Sequence, residues 1–316
     1  MSGPLVVEVL RGTEVESRHE VDVVAVDEVG RVLWSRGDGA RPVLPRSSLK
    51  PVQALPLVRS GAADAHAASV VRLALSCASH GGEPAHVAEV DAWLADLGCT
   101  VADLECGAHP PTHRPSADAL VAAGGQPSVV HHTCSGKHAG FLSVCRHVGL
   151  DPSGYRTPGH PLQDAWVTPA TEDACGISLA GATPGTDGCG IPVWTMPLDR
   201  LAAGWASLGG HEDGRRILAA MMEAPFMVGG TDRACTRIME AAAGRAAVKT
   251  GAEGVYCGLA IESGVAVALK VRDGATRASE PAIEWAMAEV GAGSRPRPEI
   301  LRNAAGTTVG EIRIAD

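Results

Sequence analysis

Arg46-Ser47-Ser48-Leu49-Lys50-Pro51-Val52-Gln53 is the stretch that decides how this chain is read. Ser47 and Lys50 stand three apart, so one helical turn brings hydroxyl and amine to the same face. A serine hydroxyl at its free pKa is a weak nucleophile, and an adjacent amine is one way to activate it. The apolar run Val52, Ala54, Leu55, Pro56, Leu57, Val58 would anchor the pair in a core. Taken alone, Ser-x-x-Lys is common, and a helix cap beside a surface lysine is the ordinary explanation. Pro51 disfavours helical geometry at Lys50 but is tolerated in a first turn. Ser47 or Ser48 is therefore expected at a helix start, where free N–H groups and the positive dipole end favour a developing oxyanion. Only Ser47 has the three-residue step to Lys50.

Working outward, 316 residues fit one domain or two interlocked lobes. A formal net charge of −9 and the lack of a basic stripe argue against nucleic-acid binding. No run of 18 apolar residues occurs, so no membrane span is expected. Met1-Ser2-Gly3-Pro4 leads straight into an alternating strand pattern without a basic and apolar leader, which points to a cytoplasmic protein. The nine cysteines are odd in number and scattered, as expected of free, buried thiols in a reducing compartment.

Strands are predicted at residues 5–10, 21–26 and 31–35, forming an antiparallel meander. A helix then runs from the Ser47 segment to about residue 60. The middle of the chain, about 60–245, reads as helical, with a glycine-rich break at Ser76-Cys77-Ala78-Ser79-His80-Gly81-Gly82. Strands return at 255–261 and 265–271, joined by Glu262-Ser263-Gly264, followed by a helix over 277–291 and a last strand at 310–315. Strands at both ends with helices between imply an α+β protein, one sheet built from the termini with an inserted helical lobe. No clear linker divides residues 1–316, which read as a single two-lobed unit.

Three further groups carry chemistry. Glycines after Ser79 and His80 allow close backbone approach to a ligand. Cys134-x-x-Lys137 with Cys189 offers two thiolates and an amine to a metal, although lysine must first lose a proton, and a glycine-flanked turn around a buried cysteine is the simpler reading of the spacing. His138 and His160 are possible further ligands. Lys270 sits inside the apolar strand Ala268-Leu269-Lys270-Val271, and Lys249 precedes Thr250-Gly251-Ala252-Glu253-Gly254. Either lysine, desolvated near a serine, would have a lowered pKa and could act as a base.

Arg46-Ser47-x-x-Lys50-Pro51-x-Gln53, Ser76-Cys77-Ala78-Ser79-His80, Cys134-Ser135-Gly136-Lys137-His138, Gly159-His160-Pro161, Asp187-Gly188-Cys189-Gly190-Ile191-Pro192, Lys249-x-Gly251-Ala252-Glu253-Gly254 and Leu269-Lys270-Val271-x-Asp273-Gly274 occur together in this order. As an ordered set, the sequence resembles the asparaginase II family of the Rhizobium etli type, over about residues 5–314. The resemblance implies an α/β sandwich like that of serine β-lactamases, transpeptidases and related glutaminases. It implies hydrolysis of L-asparagine by two Ser–Lys pairs, here Ser47 with Lys50 and Ser79 with Lys270. It also implies a zinc ion held by Cys134, Lys137 and Cys189, and a homodimer. Arg46, His80, Asp187 and His138 lie in matched motifs and are candidates for holding the substrate. Glutamine, a β-lactam or another amide is an alternative substrate, and a non-catalytic zinc- or redox-responsive binding protein is the alternative of another class.

Overall fold

The computed structural model describes residues 2–315 of the chain. Its main sheet is antiparallel and has eight strands: β1 (Leu5–Arg11), β2 (Glu14–Val26), β3 (Val32–Arg36), β4 (Ala246–Thr250), β5 (Val255–Ala260), β6 (Ala266–Val271), β7 (Glu299–Arg302) and β8 (Thr308–Ile314). Their spatial order is β7-β8-β1-β2-β6-β5-β4, with β3 also paired to β2. The two ends of the chain thus share one sheet, and the expected α+β plan holds. The strands read from the sequence are present, and two more, β4 and β7, join the edges.

Between β3 and β4 runs the helical lobe. It comprises α1 (Lys50–Gln53), α2 (Leu55–Arg59), α3 (Ala62–Ala65), α4 (Val70–Ser76), α5 (Pro84–Asp96), α6 (Arg114–Ala122), α7 (Ser135–Val148), α8 (Thr168–Cys175), α9 (Leu198–Gly210), α10 (Glu212–Glu223), α11 (Pro225–Gly229) and α12 (Ala234–Ala242). A last helix, α13 (Thr276–Glu289), follows β6. The single helix expected from Ser47 to residue 60 is instead a 3₁₀ turn over Arg46–Leu49 followed by the short α1 and α2. Pro51 and Pro56 each stand in the first turn of their helix, where the missing N–H is harmless, so each proline starts a new segment. No described helix is long and apolar enough to cross a membrane.

Both faces of the sheet are covered. A Cβ on Gly258 of β5 would come within 2.7 Å of the Met287 sulfur on α13, while the next residue, Leu259, lies against Gly209 of α9. Successive strand residues face opposite sides, so α13 and α9 cover opposite faces. This explains why Val21 and Val23–Val26 of β2 are all buried, without the alternation of a half-wet strand.

Buried α9 also reaches the segment that opened this reading. Trp205, fully buried, donates its indole N–H to the Ser48 carbonyl at 3.0 Å. Ser48 itself is buried, and its hydroxyl donates to the Pro45 carbonyl at 2.6 Å. Ser47 is thereby pinned from the sheet side by a helix more than 150 residues further along the chain. Trp205→Phe removes the donor and leaves a buried carbonyl unpaired, at an expected cost of about 1–3 kcal/mol. Denaturant unfolding measures that loss, and kcat should fall with it if Trp205 positions Ser47.

Candidate active site

Five segments converge behind Ser47. Arg46 begins the 3₁₀ turn with φ +51°, a left-handed backbone that an arginine seldom adopts. Its guanidinium Nε donates to Asp187 Oδ1 at 2.7 Å, and the Gly188 N–H donates to the same oxygen at 2.8 Å. Asp187 sits at the tip of a tight hairpin that also carries Cys189. The strained residue before Ser47 is therefore tied to the loop bearing a thiol. From the other side, Gly251 lies so close that a Cβ there would meet the Pro45 carbonyl at 2.8 Å. Glycine is required for the end of β4 to pass under the Ser47 turn.

Ser79 lies in the loop after α4. Its N–H bonds the Val228 carbonyl at 3.0 Å, and the His80 N–H bonds the Thr133 carbonyl at 3.2 Å, so the loop is stitched between α11 and the approach to α7. Two fully buried amines meet on the Ser79 hydroxyl, Lys50 Nζ at 3.0 Å and Lys249 Nζ at 2.8 Å. Lys50 also bonds the Ala78 carbonyl and the Cys134 sulfur, the latter at 3.1 Å. No hydrogen bond joins Lys50 to Ser47 among the described residues; its amine turns to Ser79 instead. Lys249 also donates to the Thr250 carbonyl at 2.9 Å. Burial drives the Lys249 pKa down to about 7, and the Lys50 amine acts in the same direction, while Cys235 opposes both. A cavity of 30 Å³ beside Ser79 and Lys249, lined also by Cys235, Tyr256 and Glu280, has room for about two water molecules.

This corrects the sequence assignment of Ser79 to Lys270. The Lys270 amine lies elsewhere, bonded to the Glu253 carbonyl at 2.8 Å and to the Val271 carbonyl. Lys270 is in register with Asp22 and Val255, two strands inside the sheet, whereas Lys249 is on the edge strand β4 against the helical lobe. The signal for Lys249 was Lys249-Thr250-Gly251, which accompanies Ser-x-x-Lys in serine penicillin-recognising enzymes.

Two substrate-contact candidates also differ from each other. His80 is fully buried; its Nδ1 accepts the Gly82 N–H at 3.1 Å, so its Nε2–H donates to Ser135 Oγ at 2.9 Å. Burial keeps the ring neutral, and with both nitrogens engaged it serves the scaffold rather than a substrate. His138 is also buried and neutral, but only its Nδ1 is engaged, by the Tyr155 hydroxyl at 2.6 Å. That hydroxyl accepts the Glu105 N–H, so its own proton goes to Nδ1, and Nε2–H is a buried donor without a partner among the described residues. His160 is taken up by Asp151 and Leu162 backbone.

The residues Cys134, Lys137 and Cys189 come together as the sequence suggests. Lys137 Nζ donates to Cys189 Sγ at 3.0 Å, and the Cys189 thiol donates to Cys134. That bond, with the Lys50 and Lys137 amines nearby, holds Cys134 well below the usual thiol range and pushes Cys189 up. Two buried sulfurs and the Lys137 amine form a donor set whose chemistry suits zinc. No group of three His, Cys, Asp or Glu side chains gathers for a metal among the described residues, so any ion here would need the lysine.

Between its sheet edge and helical lobe, this mixed α/β fold encloses one serine hydroxyl shared by two lysine amines. The L-asparaginase II family model matches residues 7–314, and the chain belongs to that family, an amidohydrolase family. Solved structures to which it is similar include a β-lactamase from Mycobacterium bovis (19% identity, 86% of this chain and 95% of that one, TM-score 0.44). Another is a putative β-lactamase from Bacteroides dorei (12% identity, 85% of each chain, TM-score 0.38). No curated protein matches.

The depressed Lys249 pKa has a thermodynamic consequence. Folded Lys249 releases its proton near pH 7, whereas an unfolded lysine keeps it to about 10.4. Between those values the unfolded chain binds more protons, so this residue's contribution to stability rises with pH. Lys249→Met is expected to raise the melting temperature at pH 6–7, with the gain over wild type shrinking toward pH 10. A variant that melts lower at every pH would refute the assignment of an unfavourably buried amine.

Proposed function

We propose that the chain hydrolyses L-asparagine to L-aspartate and ammonia through an ester on Ser47. The observation that carries this reading is the Ser79 hydroxyl shared by two buried lysine amines behind Ser47, in a member of the L-asparaginase II family. Lys50 faces three acceptors, as many as an ammonium has protons to give. For Lys50 to act as base, one proton must first leave, and neutral Lys249 receives it through Ser79. Lys50 then takes the Ser47 proton as Ser47 Oγ attacks the side-chain amide carbon. Backbone N–H groups at the start of the 3₁₀ turn face the developing oxyanion. As the C–N bond breaks, Ser79 hands a proton to the leaving ammonia and is resupplied by Lys249. Lys50 then passes a proton through Ser79 to Lys249 once more, takes a proton from the water that attacks the ester, and returns it to Ser47 Oγ as the ester bond breaks.

The α-amino acid head needs an anion and a cation. Arg46 and Asp187, already paired beside Ser47, suit the α-carboxylate and α-ammonium, and the free His138 Nε2–H adds a donor. A zinc ion held by Cys134, Lys137 and Cys189 would keep both sulfurs ionised and order the adjoining substrate contacts. The homodimer and the reducing compartment implied by the sequence belong to the same reading. Glutamine is the second substrate to test, since one methylene alters binding by roughly 1–3 kcal/mol.

Ammonia release from L-asparagine and L-glutamine is the direct assay. Wild-type protein should act on asparagine, and Ser47→Ala should lose essentially all of it. Lys249→Met should cost roughly 10²–10⁴ in rate, and Lys270→Met little. Release that survives in Ser47→Ala would shift the nucleophile to Ser79. No release from either amide by folded, metal-loaded protein would favour the binding-protein reading. The working form needs Lys249 neutral, so kcat/KM should rise with pH through about 7. A profile flat between pH 5.5 and 8.5 would remove Lys249 from the relay.

A further inference from the structure

A second cavity lies between α12, α13 and residues 291–297, with a volume of 380 Å³, within the range of small-molecule sites. Four guanidinium groups line it, from Arg237, Arg245, Arg295 and Arg297, and Ile238 and Met287 supply apolar surface. Arg237 pairs with Glu280 at 3.2 Å and Arg295 with Glu289 at 2.6 Å. Among the described residues, Arg245 and Arg297 take part in no ion pair. On a chain of net charge −9, two unpaired arginines facing one cavity stand apart from the general surface. The carboxyl that lines the same cavity, Glu284, is half-buried, and burial raises its pKa above that of an ordinary glutamate.

We propose that this pocket binds a small polyanion, a molecule bearing two or more carboxylate or phosphate groups, with Arg245 and Arg297 as its principal contacts. Planar guanidinium forks match both carboxylate and phosphate geometry. Arg237 connects the pocket to the site described above. Its partner Glu280 also lines the 30 Å³ cavity at Ser79 and Lys249, and α12 leads directly into β4, which carries Lys249. An anion on Arg237 competes with Glu280 and changes the field at Lys249, a consequence that rests on the catalytic reading, whereas binding itself does not.

The test is calorimetric titration with citrate and with pyrophosphate at constant ionic strength, on wild type, on Ser47→Ala and on the double variant Arg245→Ala/Arg297→Ala. Wild type and Ser47→Ala should bind at least one probe equally, and the double variant should bind it roughly tenfold or more weakly. Citrate binding alone assigns carboxylates and pyrophosphate binding alone assigns phosphates. No heat with either probe, or equal binding by the double variant with its melting temperature unchanged, overturns the site. Binding that leaves asparagine hydrolysis by active wild type unaltered removes the coupling through Glu280.

Discussion

Two amines from different layers of the fold meet on one hydroxyl oxygen. Lys50 comes from the first helix of the lobe and Lys249 from the edge of the sheet, and neither reaches the surface. Two ammonium ions cannot share so dry a space at low cost, because like charges repel strongly where the dielectric is low. The fold therefore holds a pair in which one proton is loosely held. Every other feature of the site serves to keep that pair assembled. β4 must lie at the sheet edge, Gly251 must let it pass under the Ser47 turn, and the Ser79 loop must be stitched to α11 and to the approach of α7.

One of the five described non-glycine residues with a left-handed backbone stands next to Ser47. Arg46 occupies a left-handed backbone conformation directly before Ser47, and its side chain is held by Asp187. Such a conformation costs on the order of 1–3 kcal/mol and persists only where the surroundings over-determine it. Here the surroundings are the Asp187 hairpin, the Trp205 hydrogen bond to Ser48 and the close contact with Gly251. The same hairpin presents Cys189 to Lys137 and Cys134, so the Ser47 turn and the sulfur cluster are mechanically joined.

Much of this was legible in the sequence, and the parts that were not have physical causes. Alternation and turn signals revealed the strands at both ends, and ordered motifs brought Ser47, Lys50, Ser79, Cys134, Lys137 and Cys189 to one place. The strand Ala246–Thr250 was hidden, because five residues starting with two alanines carry no period, and its register depends on β5 far more than on itself. The residues alone left Lys249 and Lys270 both open as bases, and it was the family resemblance that assigned Lys270, whose amine bonds backbone carbonyls. His80 and His138 look alike as letters. Which ring nitrogens are spent depends on partners at Gly82, Ser135 and Tyr155, and spacing does not encode that. The break between α1 and α2 was foreshadowed by Pro51 and Pro56, yet the positive φ at Arg46 was not, since glycine rather than arginine is the usual sign.

The chain carries 27 basic residues, and only four of them are lysines. Three of these, Lys50, Lys137 and Lys249, are walled in at the site, and arginine, which keeps its charge, does the ion-pairing. Among the described residues, Lys270 is the one side-chain amine within reach of solvent. For the chemist this makes the molecule an unusually selective target. A reagent that acylates amines in water would, among the side chains, modify Lys270 on the sheet side and leave the three interior amines alone, so a dye or polymer attached there stays out of the centre that holds Ser47.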